Sequence, residues 1–166
     1  LLAYTSPDFG GVVFKMAYQP TDNAAATDNG KDVGAYTDMG IQVSPEMVEG
    51  LSIGYAMAEL DDTATSTIDH ETLFVKYAIG GFTLGYQTHD ADGPTAAKTD
   101  ESTTWGVSYA VNDDMTISYG ERDYDDDLNT AGNTSAEQND SGFSISYTMG
   151  GMTIAGHMNQ SDNVSL

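Results

Sequence analysis

The chain has no cysteine and only five lysines and arginines in 166 residues. Without thiols there is no thiol catalysis, no disulfide framework and no Cys-ligated zinc site. The few bases stand against 26 aspartates and glutamates, a formal net charge of −21. Nucleic-acid phosphates need basic patches, which argues against that partner; attraction to an anionic lipid surface is disfavoured for the same reason. No apolar run approaches the ~20 residues of a membrane helix, and helical periodicity is missing throughout. A glycine-rich phosphate loop ahead of a helix and a nucleophile elbow are missing too. Carboxylate pairs arise by chance in so acidic a chain. The sequence does not read as an enzyme.

What is present is alternation with a period of two. In Val75 to Gln87, Val75, Tyr77, Phe82, Leu84 and Tyr86 alternate with Lys76, Ala78, Thr83, Gly85 and Gln87 around a turn at Ile79-Gly80-Gly81. Successive strand side chains point to opposite faces, so one face of this hairpin is large and apolar and the other small or polar. The unit recurs. Tyr109-Ala-Val-Asn-Asp-Asp-Met-Thr-Ile and Tyr147-Thr-Met-Gly-Gly-Met-Thr-Ile repeat a tyrosine before a tight turn and an apolar-Thr-aliphatic triplet after it. About ten strands follow from this pattern. Short connections are expected at Pro7–Gly11, Pro45–Gly50, Gly80-Gly81, Asn112–Asp114 and Gly150-Gly151. Long polar loops are expected at Pro20–Asp32, Asp61–His70, Asp90–Glu101 and Asp123–Asp140.

A soluble sandwich also alternates, so alternation alone does not decide what covers the apolar face. Three features do. Tight turns and long loops alternate along the chain, as in a membrane β-barrel with short turns at one end and long loops at the other. Tyrosines crowd the ends of the apolar face, where a ring meets hydrocarbon and a hydroxyl meets water. The opposite face is rich in Gly, Ser, Thr and Gln, which leave space for a lumen. The expected fold is all-β, a transmembrane antiparallel up-and-down β-barrel.

Tyr4-Thr-Ser-Pro-Asp-Phe-Gly-Gly-Val-Val-Phe14 resembles the segment that follows the constriction loop of the Gram-negative general porins, and the hairpins fit the rest of such a barrel. The resemblance implies a barrel of about 16–18 strands in the bacterial outer membrane, usually a homotrimer. It implies a diffusion channel for ion transport and small hydrophilic solutes, with outer-membrane lipid and lipopolysaccharide as surroundings. Residues 1–166 then form part of a single barrel domain. The N-terminal strands with the constriction loop, and the strand or strands that close the barrel, are expected outside this stretch.

Candidate pore-lining residues follow from the faces: Lys15, Asp38, Gln42, Lys76, Gln87, His89, Arg122 and His157. The lipid-facing aromatic girdle is expected at Tyr18, Tyr55, Tyr77, Phe82, Tyr86, Trp105, Tyr109, Tyr119 and Tyr147. Lys15, Lys76 and Arg122 either line the water path free or pair locally with carboxylates, the commoner case on a surface. Asp61, Asp62, Asp90, Asp92, Asp123, Asp125, Asp126 and Asp127 read as a negative vestibule that concentrates cations, which makes cation preference the expectation. No EF-hand or repeat spacing supports a built calcium site, so weak Ca²⁺ association is the most these loops offer, and no metal site or cofactor is expected. His70, His89 and His157 are far apart in sequence and read as polar strand-end residues. The competing reading is a secreted or cell-surface acidic β-rich adhesion protein with cation-binding loops.

Overall fold

The computed structural model describes residues 1–20, 34–63, 66–93, 99–126 and 136–165. They form ten strands: β1 (Leu2–Thr5), β2 (Val12–Gln19), β3 (Tyr36–Val43), β4 (Leu51–Thr63), β5 (Ser66–Ile79), β6 (Phe82–Asp92), β7 (Thr99–Asn112), β8 (Met115–Asp126), β9 (Ala136–Met149) and β10 (Met152–Ser165). All lie in one antiparallel sheet in sequence order, with β1 and β10 at its edges. Each strand therefore pairs with its chain neighbours, the simplest outcome of joining alternating segments by hairpins.

Among the described residues this sheet has no core. Ala91, 4 % exposed, is the one buried hydrophobic side chain, while Met16, Leu84 and Ile154 are 56 %, 47 % and 62 % exposed. A soluble sandwich hides its apolar face against a second layer; here the whole apolar face lies open.

The short connections are tied to the ends of neighbouring strands. Ser44 N donates to Gly11 O (2.6 Å), Ala78 N to Gly50 O (2.9 Å), Ala110 N to Gly81 O (2.8 Å) and Thr148 N to Asp114 O (2.7 Å). Gly11 and Gly50 adopt φ of 87° and 84°, and a Cβ on either would fall 2.1 and 2.0 Å from the carbonyl oxygens of Ser44 and Ala78. Only glycine allows both the backbone and the approach. In the Tyr4–Phe14 motif Ser6 Oγ donates to Pro7 O (2.8 Å) and accepts from Phe14 N (2.9 Å). The Asp8 carboxylate accepts from Gly11 N. The residue types of this turn are those its hydrogen bonds require.

The opposite end corrects the expected loops. β4 runs to Thr63 and β5 starts at Ser66; β6 runs to Asp92 and β7 starts at Thr99; β8 runs to Asp126 and β9 starts at Ala136. Most of Asp61–His70, and half of Asp90–Glu101 and of Asp123–Asp140, is thus strand, and short and long connections do not alternate strictly. β10 likewise continues through the polar stretch after Gln160 to Ser165, paired with β9. The hydrophobic pattern stops in these stretches, but backbone pairing needs no apolar side chain. The expected loop Pro20–Asp32 lies, apart from Pro20, outside the described residues. At Asn112–Asp114 the turn itself is Asp113-Asp114, with Asn112 paired to Met115 across a register shift.

Candidate functional site

The pairing register assigns every candidate to a face. Lys15, Asp38, Gln42, Lys76, Gln87, His89, Arg122 and His157 all lie on the polar face, opposite Gly40, Ala17, Val13, Gly85, Phe74, Thr72, Thr104 and Ser144 respectively. The nine girdle candidates, Tyr18, Tyr55, Tyr77, Phe82, Tyr86, Trp105, Tyr109, Tyr119 and Tyr147, all lie on the apolar face.

On the apolar face the aromatics gather in two groups. Phe82 and Tyr109 pack at 4.4 Å between ring centroids beside the short turns, and Trp105 and Tyr119 at 5.7 Å further along. The Tyr119 hydroxyl donates to Glu121, and that of Tyr55 bonds Glu71. These rings point apolar carbon one way and hydroxyl toward the polar overhang, the arrangement suited to a hydrocarbon–water boundary.

The apolar band crosses the hydrogen-bonded rungs obliquely. One rung reads Tyr4, Met16, Met39 and Met57 on β1 to β4, then Glu71, Asp90, Glu101, Asp125 and Glu137 on β5 to β9. A level band then requires tilted strands, as in a sheared barrel wall. The rung also places five carboxylates side by side on the band's face. Asp125 Oδ1 is enclosed there with no hydrogen-bond partner among the described residues. Asp61, Asp90, Asp92, Asp123 and Asp125, expected in a vestibule, lie on this face and not on the polar one.

The polar face carries a trough. Gly85, Gly106, Gly120 and Gly142 are directly opposite one another on β6 to β9. Hydroxyls flank them on one side, with Ser118 and Ser144 2.7 Å apart; Gln87, Thr104, Arg122 and Asp140 form the next rung on the other side. A space of about 550 Å³ lies over Gly85, Gly106 and Gly120 and is also lined by Phe74 and Lys76. Phe74 is unanticipated on this face. Its ring covers buried Gly54, where a Cβ would come within 2.1 Å of Cε1. Parity would have found it, since Phe74 shares its side of β5 with Lys76; a run of three apolar residues, Leu73-Phe74-Val75, hid the fact.

Lys15, Lys76 and Arg122 are exposed, and none forms an ion pair among the described residues. Arg122 faces Asp140 in register, but its guanidinium lies over the Tyr124 ring at 4.7 Å from the centroid. Asp140 accepts from Gln138 Nε2 at 2.9 and 3.0 Å. Gln42 Nε2 donates to Ser52 Oγ (3.1 Å). Two histidines that are distant in sequence meet: the His70 and His89 rings stack at 5.5 Å, and His89 Nδ1 lies 2.8 Å from Thr72 Oγ1. His157 is far from both, on β10. Among the described residues no three His, Asp or Glu side chains converge as a metal would need.

Comparison with known proteins completes the picture. None of the curated proteins matches the chain. Among solved structures it is similar to the anion-selective porin from Comamonas acidovorans, with a TM-score of 0.74 and 19 % identity over 97 % of this chain and 48 % of that one. At that identity the likeness is one of fold, and the chain spans about half the length of that porin. The family model for Gram-negative porins matches residues 2–165. A coreless antiparallel sheet, one face apolar with aromatic edges and the other small and polar, agrees with that match: the chain belongs to the Gram-negative porin family, channel proteins of the bacterial outer membrane.

Proposed function

We propose that these strands form part of the wall of a passive diffusion porin for small hydrophilic solutes and ions, with no catalytic role. The observation that carries this is the division of faces. The continuous apolar face, open along ten strands, suits lipid, and the face with Lys15, Asp38, Gln42, Lys76, Gln87, His89, Arg122 and His157 suits a water column. Closing such a sheet with further strands satisfies the edge hydrogen bonds that a bilayer cannot. A homotrimer in contact with lipopolysaccharide belongs to the same proposal. No cofactor is part of it. Ca²⁺ acts by loosely screening the carboxylate-rich overhang.

Net charge favours cations: a protein carrying −21 attracts them to its mouth. A specific observation favours the opposite sorting in the wall. Between the two edges of the band, the described charges on the polar face are Lys15 and Lys76. Asp38, Asp100 and Asp140 lie at or beyond the loop-side edge. Reconstitution in planar bilayers under a KCl gradient tests both levels. Stepwise conductance supports the porin, and the sign of the reversal potential tells whether rim or wall dominates. A protein that leaves the membrane fraction without detergent and never conducts overturns the reading.

A further inference from the structure

We propose that Phe74, Lys15 and Lys76 form a subsite on the pore wall for organic anions that carry an apolar ring, with aromatic carboxylates as the chemical class. The inference rests on the porin reading above, and it deepens that reading by naming a preferred solute.

Phe74 is the one large aromatic side chain that the register sets on the polar face within the span of the apolar band, among the described residues. Its ring is half-buried against Gly54, so it is held in place rather than swinging in the lumen. It stands between two open grooves of the polar face. With Lys15 and Gln42 it lines a space of about 190 Å³; with Lys76 and Gln87 it lines the trough of about 550 Å³.

Each of these spaces sets the Phe74 ring beside one lysine, Lys15 in the smaller and Lys76 in the larger. Both lysines are exposed and make no ion pair among the described residues, so each ammonium is available to a carboxylate. The trough floor is glycine: a Cβ on Gly85 would meet nothing within 4 Å, which leaves room for a flat ring beside Phe74. Ring–ring contact adds to the charge attraction, whereas chloride or acetate gains only the charge term. Inside a wet pore such a site is weak, which suits transport: a solute must bind enough to enter and leave readily.

The test uses the porin purified from outer membranes and reconstituted in planar bilayers. Sodium benzoate and sodium acetate are titrated against a constant KCl current. The expected result is a half-blocking concentration about fivefold lower for benzoate than for acetate. Phe74→Leu, which keeps an apolar cover over Gly54, is expected to bring benzoate to the level of acetate. Lys76→Gln is expected to weaken both anions. Gly85→Val, built into open space, is expected to weaken benzoate alone and guards against a folding defect at Phe74. Equal block by the two anions in the unaltered protein, or benzoate block unchanged in both Phe74→Leu and Gly85→Val, overturns the subsite while leaving the porin intact. A protein that inserts and carries no current overturns the porin reading and the subsite together.

Discussion

The ring of Phe74 occupies the space that a side chain on Gly54 would need: a Cβ there would lie 2.1 Å from Cε1 and 2.5 Å from Cζ. The two residues are directly opposite on β5 and β4. The aromatic shields the glycine backbone and supplies the packing that glycine lacks in a strand. The pair should behave as a unit. Gly54→Ala is expected to destabilise the barrel by about 1–3 kcal/mol through overpacking, and to cost far less in a Phe74→Ala background. Urea unfolding of the four proteins of this cycle measures the coupling; additive effects would show that the ring moves aside freely.

The division of faces predicts unequal tolerance on one strand. Leu84 lies on the apolar face, opposite Tyr77 and Val107, whereas Gln87 lies on the polar face opposite Phe74 and Thr104. Leu84→Arg is expected to cost about 2–4 kcal/mol near the bilayer midplane and to lower the yield of assembled porin in the membrane. Gln87→Ala is expected to assemble normally. Similar yields for both variants would reverse the assignment of the faces.

The carboxylate rung predicts a stabilising substitution. Asp125 stands between Glu101 and Glu137 on neighbouring strands, and its Oδ1 has no hydrogen-bond partner among the described residues. Like charges directly opposite destabilise a sheet by roughly 0.2–1 kcal/mol per pair. Asp125→Asn is therefore expected to raise stability by about 1 kcal/mol at low ionic strength, with the gain shrinking in high salt as screening replaces it. Thermal or urea unfolding at two salt concentrations reads it; a destabilised variant would mean that this carboxylate is held by a group beyond the described residues.

Lys15 and Lys76 should set the sign of the wall. If these two charges govern the field within the band, Lys15→Gln with Lys76→Gln shifts the reversal potential toward cations, and Gln138→Ala, beyond the band, leaves it unchanged. Recordings under a salt gradient compare them. A shift of equal size in both would place the selectivity at the rim.

Much of this was legible without coordinates because a strand's faces follow from parity alone. Once Lys76 and Tyr77 are strand residues they must point to opposite sides, and no packing detail alters that. The same logic placed all eight polar-face candidates and all nine aromatics. It failed where side-chain polarity stopped reporting the backbone. Asp90 to Asp92 and Asp123 to Asp126 read as loop because the alternation of large apolar side chains stops there, yet their amides continue the ladder.

Sequence by itself determined the strand unit and the faces, since both depend on neighbours one or two residues apart. Only the tertiary structure decided what depends on register between strands. It gathered Glu71, Asp90, Glu101, Asp125 and Glu137 into one rung, stacked His70 on His89, aligned four glycines into a trough and laid Phe74 over Gly54. Those relationships join neighbouring partners 11 to 24 positions apart in sequence, and a slip of one residue in pairing would erase every one of them.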